Sequence, residues 1–120
     1  MSIKFAAIGL THAHIYGQAD CLLTAGAEFV AFHEPLDELA IPFAEKYPQV
    51  RRVADRREIL EDDAIQMVLT SAIPAERAEI AVACMRHGKD VMSDKPGMTS
   101  LEQLAEVKRV QAETGRIFSV

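Results

Sequence analysis

The chain has 120 residues, 49% of them hydrophobic and 26% charged, with a formal net charge of −5. That is enough apolar material for one domain with a real core, which excludes disorder, and scattering 13 Lys/Arg among 18 Asp/Glu leaves no basic footprint for nucleic acid. No apolar run nears the roughly 20 residues of a membrane span and Met1-Ser2-Ile3-Lys4 lacks the regions of a signal peptide, so the chain reads as cytoplasmic with no membrane partner.

Residues 3–8 are apolar without alternation apart from Lys4, which predicts a strand covered on both faces, as in a parallel sheet. Gly9 supplies a turn. Ile15, Ala19, Leu22 and Leu23 then fall at i, i+4, i+7 and i+8, an amphipathic helix over about 13–25 that stops at Gly26. A strand, a glycine turn and a helix N-terminus make an anion site, because the N–H groups of a first helical turn lack partners and carry the positive end of the dipole. The dinucleotide fingerprint G-x-G-x-x-G/A asks for three glycines, for the turn, the pyrophosphate approach and helix–strand packing. Here those positions read Gly9, Thr11 and His14. Only the turn glycine is kept, so a strand-to-helix turn with no nucleotide stays open.

Glu28–His33 forms the second predicted strand and stops at Glu34-Pro35. A helix follows from about Asp37 to Lys46, in which Pro42 either marks the true start or makes a kink. A short third strand near Val50–Val53 precedes Asp55-Arg56-Arg57-Glu58, a capping-box pattern that opens a brief helix through Leu60. Ile65–Thr70 reads as a central fourth strand. Pro74 suits a first helical position, Ile80, Ala81, Cys84 and Met85 form the buried stripe, and Gly88 ends that helix. Val91 and Met92 make a fifth strand, 93–98 a loop, and Ser100-Leu101-Glu102-Gln103 caps a last helix that stops before Gly115. Residues 116–120 read as a sixth strand. This alternation predicts an α/β domain, a doubly wound parallel sheet of Rossmann type with strand order 3-2-1-4-5-6 and helices on both faces. Cys21 and Cys84 have no CxxC spacing and read as buried small hydrophobes.

Several residues can carry chemistry. Glu34 closes the second strand about 25 residues after Gly9, near the spacing at which an acidic side chain bonds the adenosine ribose of a dinucleotide; the alternative is a solvated carboxylate. A carboxylate there repels a 2′-phosphate by roughly 4 kcal/mol at 4 Å with an effective dielectric near 20, and no arginine follows to offset it, so NAD is preferred over NADP. His12 and His14 invite a metal reading, but zinc needs three or four ligands and the chain offers no second cluster at ligand spacing, so no metal is expected. The pair reads instead as donors or cations beside a phosphate, or as ordinary polar turn residues. Ser71, Ala72 and Ile73 follow the fourth strand across the switch point, where their backbone lines the nicotinamide side. Lys95 stands on a backbone stiffened by Pro96, and Arg77 reads as solvated.

The Ile8-Gly9 turn, Phe32-His33-Glu34-Pro35, the stretch 68–81 and above all Gly88-Lys89-Asp90-Val91-Met92-Ser93-Asp94-Lys95-Pro96, similar to G-K-H-V-x-x-E-K-P, carry a family likeness. The chain resembles the nucleotide-binding domain of the Gfo/Idh/MocA oxidoreductases over nearly all its length. The resemblance implies NAD(P) held along Gly9, Leu10, Thr11, His12, His14 and Glu34, with Ser71, Ala72, Ile73, Asp94, Lys95 and Pro96 on the nicotinamide side. Lys95 matches the family's active-site lysine. It further implies hydride transfer between nicotinamide C4 and a hydroxyl-bearing carbon of a sugar or polyol. Residues 1–120 then form one dinucleotide-binding domain, and a mostly β-sheet second domain outside them supplies the substrate site and homo-oligomer interface. Alone, the domain is expected to bind cofactor weakly and turn over nothing. Departures from the family pattern are Thr11 and His14 for glycines, Ile73 and Arg77 for Pro and His, and Asp94 for Glu. The alternative is a non-catalytic ligand-sensing or assembly module that has lost the nucleotide.

Overall fold

A computed structural model describes residues 2–120. The strands β1 (Lys4–Ile8), β2 (Glu28–His33), β3 (Arg51–Arg52), β4 (Met67–Thr70), β5 (Asp90–Ser93) and β6 (Phe118–Ser119) make one six-stranded sheet in the order 3-2-1-4-5-6. Every pairing is parallel. The crossovers hold α1 (His14–Thr24), α2 (Asp37–Lys46), α3 (Arg57–Leu60), α4 (Pro74–Arg86) and α5 (Leu101–Thr114). This is the Rossmann topology that the alternation predicts.

The unbroken apolar strands are explained by a core on each side of the sheet. Side chains alternate along a strand, so Ala6 and Ile8 enter one core while Phe5 and Ala7 enter the other. Phe29 and Phe32 are three apart in β2 yet share a side. The β1–β2 register shifts between Phe5 and Ala6, and the extra residue in β2 restores the pair to one face. One layer, under α1 and α2, is aromatic: the Phe43 ring lies 5.0 Å from Phe32, 4.9 Å from Tyr47 and 5.2 Å from Tyr16. Such pairs add about 0.5–1.5 kcal/mol each beyond their area. The other layer, under α3, α4 and α5, is built from aliphatic groups with Cys84 and Met85.

The departures from expectation are local. β3 has only two residues, although Val53 N–H still donates to Phe32 O at 2.9 Å beyond it. β4 starts at Met67, with Gln66 N–H bonded to Lys4 O at 2.9 Å. Pro42 neither starts nor ends α2 but sits inside it, where it leaves one carbonyl without its helical donor. The capping box is half met: Asp55 N–H lies on Glu58 Oε2 at 3.3 Å, but Asp55 Oδ1 takes the Arg57 N–H at 2.9 Å and not that of Glu58. Cys84 is buried, but Cys21 is exposed, because it faces away from the stripe of α1 that buries Ile15 and Ala19. No helix among the described residues is long and apolar enough to cross a membrane.

Candidate functional site

The carboxyl ends of β1 and β4 are stitched together by their own backbone. Gly9 has φ +85°, and a Cβ there would stand 2.5 Å from Ala72 Cβ and 2.9 Å from Ala72 Cα. Only glycine fits that approach. Ser71 N–H donates to Gly9 O at 3.1 Å, His12 N–H to Ser71 O at 3.0 Å, and Ser71 Oγ to His12 O at 2.7 Å. Ser71 is thus fully buried and spends its polar groups on the loop, whereas Ile73 is exposed at the rim.

The N–H groups of the turn are less free than a helix N-terminus alone suggests. Gly9 N–H bonds His33 O at 3.1 Å, Leu10 N–H bonds Glu34 Oε1 at 2.9 Å, and His14 N–H bonds His12 Nδ1 at 3.0 Å. With His12 also engaged, Thr11 and Ala13 are the turn residues whose N–H groups have no partner among the described residues. Leu10 is buried and its amide is committed.

Glu34 is 5% exposed and ties the turn to the start of α2, since its Oε2 accepts Leu36 N–H at 3.0 Å. Each carboxylate oxygen keeps a lone pair for a further donor. The sequence order suggests no arginine near it, but the fold brings two. Arg52 Nη2 donates to Glu34 O at 2.8 Å while Nη1 pairs with Asp37 at 2.9 Å. Arg56 lines the same cleft as Gly9, Thr11, Glu34 and Ala72, a space of about 200 Å³. Thr11 is exposed at its edge, so the hollow is open, and a second cleft of about 400 Å³ adjoins it between Glu34, Pro35 and Arg52.

Across the switch point, Asp94 collects partners from three elements. It is 7% exposed; His14 Nδ1 lies 3.1 and 3.2 Å from its two oxygens, and Lys95 N–H donates to Oδ1 at 2.8 Å. His12 Nδ1 is 3.6 Å and Arg77 Nη2 3.7 Å from Oδ2. Burial pushes the Asp94 carboxyl up, but the hydrogen bonds from His14 and Lys95 N–H, with the charges of His14 and Arg77, outweigh it and hold it below the usual carboxylate value. Arg77 is not solvated but 2% exposed, with Nε on Ala72 O at 2.7 Å and Nη1 on Pro96 O at 3.1 Å. It fastens the loop after β4 to the loop after β5. Lys95 and Pro96 are exposed there, and no partner of Lys95 Nζ is found among the described residues. Nothing in the sequence hints that Asp94, 80 positions away, supplies a third potential ligand beside His12 and His14.

A cleft of this kind at the carboxyl edge of a 3-2-1-4-5-6 sheet is the usual nucleotide position. Residues 3–120 match the model of the Gfo/Idh/MocA oxidoreductase family, NAD-binding Rossmann fold. The chain belongs to that family. The crystal structure of an oxidoreductase from Erwinia carotovora atroseptica has a TM-score of 0.97 at 40% identity, over 99% of this chain and 36% of that one. The scyllo-inositol 2-dehydrogenase (NADP(+)) IolW of Bacillus subtilis is 31% identical over 74 residues, 62% of this chain and 21% of that protein. Inositol 2-dehydrogenase 1 of Mycolicibacterium vanbaalenii is 30% identical over 92 residues, 76% of this chain and 26% of its own. The chain therefore spans about a fifth to a third of the length of these relatives. It is an NAD(P)-binding Rossmann domain of an oxidoreductase family.

Proposed function

We propose that the chain is the cofactor-holding part of a dehydrogenase that moves hydride between nicotinamide C4 and a hydroxyl-bearing carbon of a sugar or polyol. The observation that carries this reading is the open cleft between Gly9, Thr11 and Glu34, with the exposed Lys95 at the other side of the switch point. The inositol dehydrogenases among its relatives support a polyol. The cofactor supplies the redox chemistry when bound, and the protein supplies position and electrostatics. Thr11 and Ala13 N–H, helped by His12 and His14, hold the diphosphate, and the remaining lone pairs of Glu34 accept the ribose hydroxyls. The backbone of Ser71, Ala72 and Ile73 lines the nicotinamide, with Asp94 and Pro96 fixing the loop that presents Lys95. Lys95 Nζ donates to the substrate oxygen and is the catalytic residue of this reading.

NAD is preferred over NADP in the same proposal. The Glu34 carboxylate is fixed in the cleft by two N–H groups, whereas Arg52 is paired with Asp37, and Arg56 with Glu79 at 3.6 Å. A second domain beyond these residues supplies the substrate contacts and any homo-oligomer interface, and the protein works in the cytoplasm. Calorimetric titration of the purified chain with NADH and NADPH tests the reading. Submillimolar NADH binding, tighter than NADPH, is expected. The reverse order overturns the NAD preference. No binding of either at millimolar concentration overturns the nucleotide reading and favours a non-catalytic module, for which the occupied N–H groups of the turn are the support.

A further inference from the structure

We propose that His12, His14 and Asp94 form a binding site for a divalent transition-metal ion at the start of α1. The three residues come from two segments, the start of α1 and the loop after β5, and each offers a donor atom within 4.8 Å of the other two. Donors placed about 2.0–2.2 Å from one ion stand roughly 3–3.6 Å apart from one another. The separations of 3.1 Å for His14 Nδ1 to Asp94 and 3.6 Å for His12 Nδ1 to Asp94 lie in that range. Closing the set on an ion takes the release of the proton by which His14 Nδ1 bonds Asp94 and of the N–H that His12 Nδ1 accepts.

His12 Nδ1 accepts the N–H of His14, so it carries no proton, and its one lone pair turns to an ion by giving up that N–H. It stands 3.6 Å from Asp94 Oδ2 with no hydrogen between the two electron-rich atoms, so a cation taking both replaces the N–H that His12 Nδ1 gives up. Asp94 is pinned for the task by Lys95 N–H at 2.8 Å. The Arg77 guanidinium is committed to Ala72 O and Pro96 O at 2.7 and 3.1 Å and reaches Asp94 only at 3.7 Å, so it does not hold the carboxylate in a bidentate pair. Both imidazoles are about half exposed, which leaves an entry path and open coordination positions. Two imidazoles and one carboxylate suit zinc, cobalt, nickel or manganese rather than magnesium or calcium. With three protein donors the ion keeps positions for water, and through them for an oxygen ligand such as a phosphate or a hydroxyl.

The test needs no nucleotide, so its outcome is separate from that of the proposed function. The metal-free chain is titrated with Zn²⁺ by calorimetry and with Co²⁺ by visible absorption. One equivalent is expected to bind, and His12→Ala, His14→Ala and Asp94→Asn are each expected to weaken binding at least tenfold, while His33→Ala and His87→Ala leave it unchanged. In the unmodified chain, Co²⁺ should shift or broaden the ring signals of His12 and His14 and spare those of His33 and His87. That measurement holds even if a variant fails to fold. Absence of a one-equivalent transition, equal loss in the His33 or His87 variants, or equal effects on all four imidazoles would overturn the site.

Discussion

At the scale of single residues, Glu34 shows how a spacing argument locates a group without saying where it points. The 25-residue interval from Gly9 places a carboxylate at the end of β2, but burial and two N–H donors turn it inward as a brace between the turn and α2. Replacing it with Ala strands the amides of Leu10 and Leu36, at about 1–3 kcal/mol for each that stays buried. Urea unfolding of Glu34→Ala without nucleotide is therefore expected to show a clear loss of stability. A carboxylate used only for ribose would give none. Arg77 and Asp94 are equally illegible for a physical reason. Their environment is set by loops after β4 and β5 that meet only when the sheet is assembled, and the sequence holds no local periodicity to report it. What can be read is the chemistry nearest the chain turn, Gly9, His12 and His14, because a strand, a glycine and a helix start are local signals.

At the scale of elements, the strands and long helices are legible because each has a strong local pattern. The apolar runs of β1 and β4 and the stripe of α4 all stand at their expected positions, within a residue or two. The weak points are Pro42 and β3, where local rules compete with packing. Ala40 and Phe43 bury their side chains on either side of Pro42, so the helix carries through it. The most constrained joint is the one between β1 and α1. Gly9→Ala is expected to cost more than about 2 kcal/mol, since a left-handed residue with a Cβ costs about 1–2 kcal/mol before the clash with Ala72 is added. Gly17 is the internal control. It lies in α1, and a methyl group added there would meet nothing within 4 Å, so Gly17→Ala should stabilise the chain by up to about 1 kcal/mol. Chemical denaturation of the two variants should move in opposite directions.

At the scale of the whole molecule, the radius of gyration of 13.3 Å matches the roughly 13.6 Å expected for a single domain of this length. Its acid stability has a traceable contributor. The Tyr47 hydroxyl at 2.6 Å and Lys46 at 3.2 Å hold the Asp20 carboxyl below its ordinary value of 3.8, tying α1 to the end of α2. A carboxyl whose value is lowered on folding stabilises the fold fully above the unfolded value and loses that contribution as pH falls through the folded one. The melting temperature of Asp20→Asn should therefore lie below that of the parent at pH 6 and approach it as the pH falls below 3.8 and through the lowered value of the folded chain. A constant difference across that range would discount the tie. The unequal division of rings between the two cores also decides how unfolding is seen. The chain lacks tryptophan, and Tyr16 and Tyr47 both belong to the layer under α1 and α2. Intrinsic fluorescence is thus a one-sided gauge: detachment of α4 and α5 from the aliphatic face would pass unseen in tyrosine emission and would have to be followed by amide exchange.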